Sequence, residues 1–264
     1  MNKVKTIIAK EWAEVFKNRL VLFSVAFLPL IFIALPIITL MAGGDMADVS
    51  MAGTAAEAPF PGTEALCEGL NVAECGEVYL LNIYAFMFMI LPVAIPVTIA
   101  AYSIVGEKTM RSLEPLLATP ITTMELLAGK ALAAIVPAIL ATWLSFVIFL
   151  GVMRLLVSDA AFRFLLDPLW LLAIFVVGPM LTLLSASIAI MISARVTDPR
   201  VAEQISMLVI LPIIAGLISQ SLGLILIDRE FVLIVALVVF VLDAILLFFT
   251  VQAFERETIL TRWK

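Results

Sequence analysis

Few side chains in this chain have the chemistry to make or break bonds. Its 264 residues include no histidine. That removes His-ligated zinc or haem, and any Ser-His-Asp or Cys-His mechanism. The two cysteines, Cys67 and Cys75, share one acid-rich stretch. In an oxidising compartment they could bridge. The alternatives are two free thiols in a flexible loop or, less favoured, a metal site completed by acids. Gly129-Lys130 has the ending of a phosphate loop, but Met124 replaces the required glycine and Ala131 the required Ser or Thr. No other such run occurs, so no catalytic residue, metal or cofactor is expected in the chain. Any ATP and Mg would belong to another polypeptide.

One acid, Asp243, interrupts a long apolar run. A charge at bilayer depth costs at least about 2.5–3.5 kcal/mol on insertion scales. Asp243 must therefore face the protein interior or water, or be protonated. It lines a cargo path, or it hydrogen-bonds a polar residue of another helix, with Asn82, Thr98 and Thr142 as candidates. No basic residue in the apolar segments offers an ion pair. Asn82 and Gln220 join Asp243 as polar groups of a cargo path or bundle interior. An intramembrane enzyme is disfavoured, because paired acids are absent as well as histidine.

The elements that would hold these residues are apolar helices. The chain is 64% hydrophobic and 14% charged, with mean hydropathy +1.18, against roughly 45–50% apolar content in soluble domains. A spanning helix needs about 20 apolar residues. Leu20 to Gly44, Val78 to Gly106, Ala131 to Met153, Pro168 to Ala194 and Gln204 to Ile227 carry no charge, and Phe231 to Phe254 carries only Asp243. The expected fold is all-α, a single transmembrane domain over 1–264 with six transmembrane helices. Pro29, Pro36, Pro92, Pro96, Pro137, Pro179 and Pro212 predict bent spans.

Residues 1–19 read as an amphipathic interfacial helix, with Ile8, Trp12, Val15, Phe16 and Leu20 on one face and Trp12 at headgroup depth. Basic residues concentrate before the first span, between spans two and three, between four and five, and after the sixth. That pattern places both termini in the cytoplasm of a multi-pass cell-membrane protein. The 43–77 loop is then extracytoplasmic. Residues 155–166 either extend the third span or form an outer interfacial helix, and residues 216–230 could hold a re-entrant piece. Small residues recur on the third segment (Gly129, Ala133, Pro137, Ala141, Ser145) and the fourth (Ser185, Ala189, Ser193), as in helices packed closely within a bundle.

Between the second and third segments lies a charged island, GEKTMRSLEPLLATPITTMELLAGK, residues 106–130. Met110, Leu113 and Leu117 share a helical face. Pro115 bends or restarts the helix. Thr122 with Glu125 forms a capping box that opens the next helix. Such a shaped element, flanked by apolar spans, implies a soluble partner.

The run from Ser103 to Lys130, with GEK, SLEPLLATPI and ELLAGK, resembles the membrane subunit of ABC-2 type transporters. KEWAEVFKNR before the first span, and Pro199-Arg200, Glu203-Gln204 and Pro212, are similar to that family too. Arg111-Ser112 stands where Gly-Thr or Lys-Thr is more usual. The resemblance implies a permease subunit of an ATP-driven exporter, paired with a second copy or paralogue. Each subunit would dock a cytosolic ABC ATPase through a coupling element at 106–121. Glu107, Lys108, Arg111 and Glu114 would supply polar contacts, Met110, Leu113 and Leu117 packing, and Pro115 the bend. The other class is an ATPase-independent channel or an ion-coupled carrier using Asp243. Nucleic acid is not an expected partner; the lipid bilayer is.

Overall fold

The computed structural model describes residues 3–17, 19–50, 67–109, 122–225 and 227–253. They contain six helical segments long and apolar enough to cross a membrane, and no strand. Helix α1 (Lys3–Lys17) precedes α2 (Arg19–Ser50), the first span. The second span is α3 (Val72–Met87), a 3-10 turn (Phe88–Ile90) and α4 (Leu91–Thr109). The third is α5 (Thr123–Leu156). The fourth assembles from α6 (Asp159–Leu165), α7 (Pro168–Leu172), a π turn (Ala173–Val177) and α8 (Gly178–Arg195). The fifth is α9 (Pro199–Ser206), a 3-10 turn (Met207–Ile210) and α10 (Leu211–Ser221). The sixth is α11 (Arg229–Ala253).

Spans two and four form the centre, while spans one, five and six leave most of their apolar faces outward, as lipid-facing helices do. At the centre Phe88 is fully buried, its ring 4.9 Å from Phe149, 5.7 Å from Phe146 and 6.3 Å from Phe32. The small-residue stripes pack inside this bundle. Gly129, Ala133 and Ser145 are buried and Pro137 and Ala141 half-buried, while Ser185, Ala189 and Ser193 are all buried. Ser193 Oγ donates to the Ala101 carbonyl (2.8 Å) and accepts from Val105 N–H (3.1 Å), stapling α8 to α4.

Three of the seven prolines expected to bend the spans coincide with a change of helix type. Pro92, Pro179 and Pro212 each follow an irregular turn that contains the residue four before them, Phe88, Phe175 and Leu208. A proline ring clashes with the carbonyl of that residue and offers it no N–H, so the preceding turn tightens or loosens. Pro29, Pro36, Pro96 and Pro137 lie within regular helix.

The connections differ in part from the sequence expectation. The 43–77 loop is narrower, because α2 continues to Ser50 and α3 begins at Val72 rather than Val78. The reason is a capping box that sequence reading passed over. Asn71 Oδ1 accepts from Glu74 N–H (2.8 Å), and Glu74 Oε2 accepts from Asn71 N–H (3.1 Å), which satisfies the first turn of α3. Of residues 155–166 only Leu155 and Leu156 extend the third span, as the end of α5. Val157 is extended, Ser158 caps the separate helix α6, and α6 buries Ala161 and Leu165 in the bundle. Glu77 of α3 holds the break by accepting from Ser158 N–H at 2.9 Å. Gly223, at φ +68°, ends α10, and Asp228 Oδ1 accepts from Phe231 N–H at 2.7 Å to open α11. No re-entrant helix lies between them among the described residues.

Candidate functional site

The most highly organised polar site lies where α1 meets the end of α4 and the start of α5. Thr122 and Glu125 form the expected capping box: Thr122 Oγ1 accepts from Glu125 N–H (3.2 Å), and Glu125 Oε2 accepts from Thr122 N–H (2.9 Å). The box fixes where α5 starts and so where Lys130 points. Lys130 is 2% exposed and Glu11 6%. Nothing short of full pairing makes such burial tolerable for two charges. Lys130 Nζ donates to Glu11 Oε1 (2.8 Å), to the Ser103 carbonyl (2.8 Å) and to Ser103 Oγ (3.1 Å). Ser103 Oγ in turn donates to Glu11 Oε2 at 3.2 Å. The ammonium thus has at least three acceptors among the described residues, and both carboxylate oxygens are engaged.

Two further features set α1 on α5. A Cβ on Gly129 would fall 2.7 Å from Ile7 Cγ2 and 2.9 Å from Ile7 Cβ, so only glycine permits this approach. Trp12, expected at headgroup depth, is half-buried and donates its indole N–H to the Ala133 carbonyl at 3.0 Å. The buried residues of α1 are Ile7 and Glu11, whereas Ile8, Trp12 and Val15 of the expected stripe are half-buried; the side chains of Phe16 and Leu20 lie outside the described residues. Lys3 adds an exposed ion pair to Glu125 at 3.5 Å. At the same end of the bundle Asp198 caps α9, and Glu203 of α9 faces Tyr102 of α4.

The 106–121 stretch connects α4 to α5 at this end. The backbones of Glu107 and Lys108 continue α4, but their side chains lie outside the described residues, as do Met110, Arg111, Leu113, Glu114, Pro115 and Leu117.

The polar residues of the spans divide between two seams. Phe86 lies against Gly216, and Tyr79 donates to the Ser221 carbonyl (3.3 Å), so α3 and α10 run antiparallel. That register brings Asn82 and Gln220 to one level. Both are buried, and Asn82 Oδ1 and both amide atoms of Gln220 have no hydrogen-bond partner among the described residues. Asp243 is 5% exposed on α11, which packs against α8 and the π turn, so it belongs to a different seam. Its Oδ1 has no partner there either. The candidate partners are otherwise engaged or unmatched: Thr98 and Thr142 donate to the carbonyls of Ala94 and Ala138 in their own helices. Cys67 and Cys75 are joined by a disulfide, with Cα atoms 5.0 Å apart, clasping the turn that leads into α3.

Sequence reading missed Glu11, Ser103 and the role of Lys130. Glu11 lay in an amphipathic helix with acids and bases on several faces, and Lys130 closed a charged island that reads as solvated. One signal was present: Lys130 directly follows Gly129, the first residue of the small-residue stripe, so it lies where a packed helix begins.

No curated protein and no solved structure matches the chain. The family model described as ABC-2 family transporter protein matches residues 5–232, from α1 into the start of α11. With six apolar spans and this match over most of its length, the chain belongs to the ABC-2 transporter family, and is a multi-pass membrane transport component.

Proposed function

We propose that the chain is the permease subunit of an ATP-driven exporter, pairing with a second permease and drawing its energy from a separate cytosolic ATPase. The end bearing α1 faces the cytoplasm, and the end bearing the Cys67–Cys75 disulfide faces outward, in keeping with the basic residues of α1 and of the α4–α5 and α8–α9 connections. The observation that carries this reading is the buried Lys130–Glu11–Ser103 junction. It places α1 against both helices that flank the 106–121 stretch, which gives a docked motor a firm surface to push. Motion of the spans is absorbed at the irregular turns before Pro92, Pro179 and Pro212, where helix hydrogen bonding already departs from the α pattern.

The test is purification from its native membrane in lipid nanodiscs. An ATPase subunit should co-purify, and Glu114→Arg should leave ATP hydrolysis running while transport stops. Recovery of the permease without any ATPase, under conditions that preserve complexes, refutes the proposal. A second reading, an ion-coupled carrier, draws on the buried Asp243 Oδ1, which has no partner among the described residues. It requires Asp243→Asn to abolish transport, whereas the ATP-driven reading does not.

A further inference from the structure

We infer that Lys130 is a positioning residue of the transport cycle: with Glu11 and Ser103 it locks α1, the end of α4 and the start of α5 into one body, so that force received between α4 and α5 carries α1 with it. The source of that force rests on the ATP-driven reading; the lock does not.

Ser103 and Lys130 stand on opposite sides of the 110–121 stretch, one in α4 and one in α5. Lys130 bonds Ser103 directly, through both its carbonyl and its hydroxyl. The two roots of the stretch are therefore tied to each other, and Glu11 ties the pair to α1. The junction is dry: Lys130, Glu11 and Ser103 are 2%, 6% and 7% exposed. In such surroundings charges cannot exchange partners with water as α1 moves. If α1 slipped by one helical turn, about 5.4 Å, the Lys130–Glu11 ion pair would break and the buried Glu11 carboxylate would lose both Lys130 and Ser103. The lock thus has one favourable register and no neighbouring one. Contacts on either side select the same register, Ile7 against Gly129 and the Trp12 indole on the Ala133 carbonyl. A purely structural staple could be replaced by apolar side chains of similar size without functional loss. A positioning residue could not, because apolar contact permits sliding.

The experiment uses the full chain in lipid nanodiscs, with spin labels at the exposed positions Ala9 of α1 and Ala128 of α5. Cys67 and Cys75 are bonded to each other and do not compete for label. The distance distribution should be narrow, and should stay unchanged when the co-purified ATPase binds nucleotide. In Glu11→Leu/Lys130→Met, which leaves no unpaired charge and so should fold, the distribution should broaden toward a second population displaced by about one turn. Transport per ATP hydrolysed should fall at least tenfold. Lys130→Met alone should show the same loss, with less folded protein. A narrow distribution in the double variant, an unchanged transport-to-hydrolysis ratio, or a wild-type distance that shifts on nucleotide binding each overturns the inference. If no ATPase co-purifies, the proposed function fails, while the distance measurement on the permease still decides the lock.

Discussion

Alanine at position 129 should push α1 off the bundle. The added Cβ would meet Ile7 Cγ2 at 2.7 Å, Ile7 Cβ at 2.9 Å and Ile7 Cδ1 at 3.3 Å, where carbon pairs rest at about 3.5–4.0 Å. Ile7 Cβ is fixed to the α1 backbone, so a rotamer change cannot clear it, and the helix must retreat by roughly 1 Å. Overpacking of this kind costs about 1–3 kcal/mol, and Gly→Ala inside a helix returns about 0.5–1 kcal/mol. Gly129→Ala should therefore destabilise by a net of up to about 2.5 kcal/mol. Gly151 is the control. It lies in the same helix with nothing within 4 Å of its Cβ position, so Gly151→Ala should be stabilising by about 0.5–1 kcal/mol. Ile7→Gly removes all three offending atoms, and in that background Gly129→Ala should change sign and stabilise. The assay is reversible unfolding in mixed detergent micelles, read by far-ultraviolet circular dichroism. Equal effects at positions 129 and 151, or a Gly129→Ala cost independent of Ile7, would show that α1 does not seat as described.

Three further outcomes are expected. Asp243→Leu should raise stability by about 1–3 kcal/mol in the same assay, since it removes an acid from bilayer depth whose Oδ1 has no partner among the described residues; a loss of stability would mean the carboxyl is satisfied after all. Thr122→Ala should cost about 1 kcal/mol by leaving the Glu125 N–H uncapped, and Thr122→Ser, which keeps the hydroxyl, should cost markedly less. Cys67→Ser should lower stability by about 2–3 kcal/mol, by the chain-entropy relation for a short loop, and should expose Cys75 to a thiol reagent that leaves the native protein unlabelled.

The membrane class, the six spans, the capped start of α5 and the family resemblance were legible because each depends on residues near one another in sequence. Hydropathy is summed over about 20 neighbours, and a capping box needs only Thr122 and Glu125. The second capping box, Asn71 with Glu74, was equally local and was overlooked within an acid-rich loop. The break before α6 was not legible, because Glu77 stabilises it from 81 positions away. The same holds for the centre of the candidate site. Lys130 and Glu11 are separated by 119 residues, and Lys130 and Ser103 by 27. In sequence each is a charge in a charged neighbourhood, where solvent is the default partner. Only packing α1 onto α5 at a glycine excludes that solvent and turns three ordinary polar residues into a closed, buried network.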